Sequence, residues 1–304
     1  MFRGQALILS LSSALLICFG GLSAAKTFQD AYPEVYSQLD EAGKGLVASL
    51  DFKTGKVPVG SGIATLDLQE GYYFLDQQDA RYVLSDLWGN PKDDFTLGMI
   101  FPASTSPMQQ SGWGISVSFD EIGYVSDKDA AEYDYDTMLV EMRDSIAEEN
   151  KQRLEAKYEP ITLVGWAARP RYDAQGRKLY WAKELQFGTD PAHTLNYNIR
   201  VLGRKGVLVL NFIAGMEALP MIEAAVPDVL AMVSYTQGNR YADFVPSLDT
   251  VAAVGIGGLI AGKVAAKVGL IAMALVFLKK GAVVILLAGG WVVRKLFSRK
   301  DTSA

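Results

Sequence analysis

The sequence predicts an α+β fold, a mainly antiparallel sheet with packed helices, followed by a C-terminal transmembrane helical region. Three observations carry this. Residues 160–215 hold four β-type runs, at 161–168, 178–187, 194–202 and 207–214, separated by turn signals, the pattern of successive antiparallel hairpins. Residues 134–158 and 219–233 place apolar side chains at helical spacing. Residues 251–297 are nearly all apolar.

The hairpin run is the most regular. In 179–187, Leu179, Trp181, Lys183, Leu185 and Phe187 alternate with Tyr180, Ala182, Glu184 and Gln186, so they fall on opposite faces of a strand. The first set is apolar except for Lys183 and is expected in the core. In 194–202, Leu195, Tyr197, Ile199 and Val201 face inward, with Asn196, Asn198 and Arg200 facing solvent. Gly203-Arg204-Lys205-Gly206 forms a turn, and 207–213 returns as a central strand.

Residues 1–25 read as a secretory signal peptide: Arg3, an apolar core at 6–19, then small residues with Ser23 and Ala25 at the cleavage positions. An uncleaved N-terminal anchor is the alternative. Cys18, the only cysteine, follows Ile17, which is too large for a lipoprotein signal. An exported domain over 26–250 follows. It opens with a short helix within 27–43 and strands at 62–68 and 72–75. Asp76 caps a helix to Leu87, and a further strand covers 95–101. Residues 103–111, rich in Ser, Pro and Gln, mark a loop or sub-boundary. Strand 113–119 comes next, and 123–125 is expected to pair with it. Helix 134–158 carries Leu139, Met142, Ile146 and Leu154 on one face and a solvated acidic face opposite. Pro227 is expected to kink or divide helix 219–233. Residues 238–246 form an aromatic-studded connector.

The membrane stretch contains Lys263, Lys267, Lys279 and Lys280. No uninterrupted apolar run reaches the roughly 20 residues that span a bilayer core. One arrangement is a hairpin turning at Lys279-Lys280. The other is a single span with a basic tail at 298–304, which buries two lysines at roughly 2.5–3.5 kcal/mol each. Gly255, Gly258 and Gly262 have the spacing that permits close membrane-helix packing.

The net charge is −5. Residues 251–304 hold eight basic residues and one acid and 1–25 a single Arg, leaving 20 basic and 33 acidic residues, net −13, in 26–250. So acidic a domain argues against binding a phosphate backbone. With one histidine, His193, and no cysteine in that domain, a triad, a His-based metal centre and structural disulfides have almost nothing to use. No HExxH, GxSxG or dinucleotide fingerprint is present. No catalytic, cofactor or metal site is therefore assigned. Arg169, Tyr172 and Asp173 at a hairpin tip, with Lys183 and Glu184, are the candidate binding surface. The structural reading of Asp173-Ala-Gln-Gly176 as a plain turn stands beside it.

Gly165-Trp166-Ala167, Pro170-Arg-Tyr-Asp173, Leu179-Tyr-Trp-Ala-Lys-Glu184, Leu195-Asn-Tyr-Asn-Ile-Arg-Val-Leu-Gly-Arg204 and Gly238-Asn-Arg-Tyr-Ala-Asp-Phe244 resemble the bacterial membrane-anchored proteins classed as domain-of-unknown-function family 2167. The resemblance covers most of the chain. It implies an exported bacterial protein with a C-terminal anchor and supplies no activity. The order of hairpins then helix also resembles the antiparallel sandwiches of the photosystem extrinsic protein and Mog1-like group, an architectural likeness without functional content. The expected function is a cell-envelope scaffold or binding module on the periplasmic side of the cytoplasmic membrane. Its partners are the bilayer and a second copy or another membrane protein, not nucleic acid. The alternative is an envelope hydrolase using paired carboxylates.

Overall fold

A computed structural model describes residues 25–109, 112–130 and 133–262. The strands are β1 (Ala25–Lys26), β2 (Phe52–Lys53), β3 (Gly55–Val59), β4 (Ala64–Leu68), β5 (Tyr72–Asp76), β6 (Thr96–Pro102), β7 (Gly114–Asp120), β8 (Ile161–Asp173), β9 (Lys178–Phe187), β10 (Thr194–Leu202), β11 (Val207–Gly215) and β12 (Val233–Tyr235). The helices are α1 (Phe28–Ala31), α2 (Pro33–Gln38), α3 (Glu41–Val47), α4 (Gln77–Tyr82), α5 (Tyr135–Glu155), α6 (Leu219–Met232) and α7 (Ile256–Ile260). A π-helical turn, Val83–Leu87, extends α4.

Nine strands form one antiparallel sheet in the order β1-β2-β5-β6-β7-β11-β10-β9-β8, and β12-β4-β3 form a small second sheet. The four hairpin strands lie where alternation placed them. β8 runs on to Asp173, passing Pro170, which is tolerated because β8 is the sheet edge and owes no hydrogen bond outward. Asn150 of α5 bonds both backbone groups of Ile161, and the Arg143 guanidinium donates to the Leu163 and Val164 carbonyls. The helix thus covers that edge. Asp76 caps α4 through the Gln78 and Asp79 amides, and Asp134 caps α5 through Asp136 and Thr137.

Cross-strand pairs share a face, and the register sorts the core. Trp181 pairs with Asn198, and Ala182 with Tyr197. The two apolar sets of β9 and β10 therefore face opposite ways. Leu195, Tyr197, Ile199 and Val201 join Leu208, Leu210 and Phe212 under α6 and the small sheet. Leu179, Trp181 and Leu185 lie on the other face with Met138, Met142 and Ile146 of α5. Further along that second face, Leu75, Met99, Phe101 and Ile213 are covered by α1 and α4.

Several sequence expectations need correction. Asn196 and Asn198 are buried, not solvent-facing, because α5 and the α1–α4 region cover the second face of the sheet. Phe187 is only partly buried, and Leu154 is 58 % exposed, since α5 runs past the sheet at its end. Pro227 neither breaks nor divides α6. Tyr124 bridges to Val251 rather than pairing with β7. Three short helices replace one at the start.

The stretch expected in the membrane begins inside the domain. Ile256, Leu259 and Ile260 of α7 are buried against Val125, Met138 and Met142. Gly255 caps α7 in an extended conformation, and Gly262 lies beyond its end at φ 71°. The Gly255, Gly258 and Gly262 spacing therefore does not form one helix stripe. Gly257 has no room for a Cβ against the Tyr133 ring, and one on Gly258 would meet Val254. No helix among the described residues is long and apolar enough to cross a membrane. The signal-peptide reading and the spans proposed beyond residue 262 fall outside the described residues.

Candidate functional site

The five candidate surface residues do not form one surface. Arg169 pairs with Asp136 at 2.8 Å on an exposed surface, a contact of little energetic weight. The Asp173 carboxylate accepts the Gln175 amide at 3.0 Å in the hairpin turn. Glu184 faces the α6 side and lies 2.6 Å from His193 Nδ1. Lys183 is buried on the opposite face, and Tyr172 belongs to a separate junction.

That junction is built on Asp127. Its Oδ2 accepts from the Tyr172 hydroxyl at 2.8 Å and from the Arg177 guanidinium, and its Oδ1 lies 3.1 Å from the Tyr241 hydroxyl. Burial alone would raise the Asp127 pKa; the Tyr172 and Tyr241 hydroxyls and the Arg177 charge outweigh it and hold it low. Burial, with Asp127 adding to it, pushes the Tyr172 hydroxyl up to about 12. Arg177 sits at φ 53°, a left-handed conformation that costs a non-glycine residue about 1–2 kcal/mol. In it the guanidinium reaches both Asp127 and the Tyr241 ring, 4.8 Å from the centroid. Tyr124 stacks on Tyr241 and Phe244, and Arg204 grips Asp249 with two bonds, at 2.7 and 3.0 Å. Residues 236–262 are thereby strapped to the hairpins.

A band of polar groups crosses the second face between its two apolar patches. Asn196 donates to Asn211 at 2.6 Å, and Asn198 to Asn196 at 2.8 Å. Four charged residues belong to the band: Lys183 on β9, Arg200 on β10, Asp120 on β7 and Glu149 on α5. The Arg200 guanidinium stacks 5.0 Å over the Trp181 ring. Burial above all, with the Arg200 charge adding to it and Glu149 opposing, lowers the Lys183 pKa to about 8. Burial raises Asp120 against the pull of Arg200, and raises Glu149 against Lys183 and Arg153.

On the other face, a crevice of about 480 Å³ opens between the β8–β9 hairpin and α6, lined by Arg171, Tyr172, Asp173, Tyr180, Tyr197, Glu223 and the apolar Val226–Leu230 side. Glu223, Val226, Pro227 and Leu230 fall on one stripe of the helix. Pro227 has no N–H, so the Glu223 carbonyl lacks its helical donor. Burial raises the pKa of the Tyr197 hydroxyl, with Arg171 acting against this and Glu223 with it. Tyr172 and Asp173, both named from sequence, reach this crevice. Arg171 belongs to the same Pro170-Arg-Tyr-Asp173 hairpin motif, whereas Glu223 carried no sequence signal, since only the packing of α6 across the hairpin brings it there.

A family model described as protein of unknown function (DUF2167) matches residues 51–290. The chain belongs to this family. The DUF2167 match runs through β2–β12, the strap and α7, so the strapped segment lies within the matched residues. No curated protein matches this chain. Among solved structures, cyanobacterial PsbP (CyanoP) from Synechocystis sp. PCC 6803 matches at TM-score 0.34 and 9 % identity, over 60 % of this chain and 91 % of that one. The Saccharomyces cerevisiae Ran-binding protein Mog1p matches at TM-score 0.32 and 11 % identity, over 65 % and 100 %. Likeness at this level carries no argument about partner or activity.

Proposed function

We propose that this DUF2167 chain is a non-catalytic binding module, held at the extracytoplasmic face of a bacterial membrane by residues beyond 262. The crevice beside α6 carries the binding reading. It sets one cation, Arg171, and two carboxylates, Asp173 and Glu223, beside tyrosine rings and an apolar helix stripe. None of the three charged groups is in an ion pair with another described residue. A concave surface with a few convergent polar groups on an apolar wall is the general form of a recognition site. Its net charge of −1 favours a neutral or basic partner group. Glu223 is exposed, whereas a carboxyl acting as general acid at neutral pH needs burial to keep its proton; this supports binding over the hydrolase alternative.

A photoreactive residue at Tyr180 in intact membranes tests the binding reading. A discrete adduct that disappears in Glu223→Lys is the expected result; adducts identical in the two proteins would remove the crevice from consideration. For location, Ala174→Cys at the hairpin tip should react with an impermeant maleimide on intact spheroplasts. Reaction only after lysis would place the domain on the other side.

A further inference from the structure

We propose that Lys183, Arg200 and Trp181 form an internal site for a small monovalent anion, with chloride or formate as the chemical class. The site is independent of the crevice and lies on the opposite face of the sheet. Lys183 is 5 % exposed and has no hydrogen bond or ion pair with a described residue. The buried Trp181 Nε1–H has no acceptor. Arg200 makes one long bond, 3.3 Å, to the Ile199 carbonyl, while its plane covers the Trp181 ring. Trp181 and Lys183 are two residues apart on one strand, so they share a face, and register pairs Arg200 with Leu179 on that same face, diagonal to Trp181. The Trp181 indole N–H is thus a buried donor with no acceptor, flanked on its face of the sheet by two cations that no described carboxylate pairs. Buried donors normally have partners, and those without one call for a cause.

Asp120 and Glu149 do not supply it. Neither approaches Lys183 or Arg200 within 4.0 Å as an ion pair, and each keeps a buried oxygen, Asp120 Oδ1 and Glu149 Oε2, without a partner. Charge limits the ligand. The two cations and two carboxylates of the band cancel, so a monoanion leaves it at a net −1 and a dianion at −2, which favours the monoanion. The acceptor must also be compact, because the Asn196, Asn198 and Asn211 side chains fill the neighbouring face.

The test uses the full chain in detergent micelles, labelled with ¹⁵N-tryptophan. Five tryptophans produce five indole signals, and Trp181→Phe assigns the relevant one. Chloride and formate are each titrated against sulfate at matched ionic strength. The Trp181 indole signal should shift saturably with chloride or formate and not with sulfate. Lys183→Met should weaken the apparent affinity by about tenfold or more, and Lys183→Arg, which keeps charge and donors, should retain it. The remaining indole signals report whether each variant is folded. An unmoved Trp181 signal in the wild type, an equal response to sulfate, or an unchanged response in folded Lys183→Met would each overturn the assignment.

Discussion

Replacing Lys183 with Met should make the anion-free domain more stable at neutral pH. The lysine's pKa falls from the ordinary 10.5 to about 8, chiefly through burial. At 1.36 kcal/mol per unit of pH, that gap is a cost of about 3 kcal/mol for keeping the ammonium in the fold. The sign follows from proton linkage. The folded pKa lies below the unfolded one, so below pH 8 both states are protonated and the full cost is present. Between pH 8 and 10.5 the folded state releases its proton first, and stability rises with pH. Methionine has similar length and no charge, and exchange of buried ionic groups for apolar ones is often stabilising. Glu149 then loses a favourable neighbour, which trims the expected gain to about 2 kcal/mol. Urea unfolding of the wild type and Lys183→Met, in sulfate buffer at pH 7, 9 and 10.5, measures it. The variant should lead at pH 7, and the lead should close by pH 10.5. A less stable variant at pH 7, or a difference that ignores pH, would refute the uncompensated-ammonium account.

Truncation after Thr250 should destabilise the domain by about 5 kcal/mol, because it removes Ile256, Leu259 and Ile260 from the core; truncation after Gly262 should preserve the melting temperature. Gly257→Leu should lower the melting temperature like the shorter truncation, by driving a side chain into the Tyr133 ring. Asp127→Asn should flatten the acid limb of the stability profile. The depressed wild-type pKa makes that carboxylate stabilising above its unfolded value, with the contribution lost as pH falls through the folded one, as acid titration by circular dichroism would show. Phe212→Ala, deep between Trp113 and Tyr197, should cost about 3–5 kcal/mol in the same urea assay.

The alternation in 178–187 and 194–202 was enough to place β9 and β10 to the residue, and Asp76 announced the helix it caps, because strand period and capping are local chemistry. Composition likewise excluded cysteine chemistry from the domain and made nucleic acid an unsuitable partner. Register is not local. Only the pairing of Trp181 with Asn198 revealed that the apolar sets of neighbouring strands face opposite ways, and that the polar side of β10 is covered. A lone lysine on an apolar strand face was visible in the sequence. That Arg200, Asp120 and Glu149 share its surroundings was not, since they come from three other elements. The apolar residues 251–262 have the same composition in a membrane or in a protein core. Contact with α5 decides between these settings, because burial of apolar area is non-directional and takes whichever partner the fold supplies.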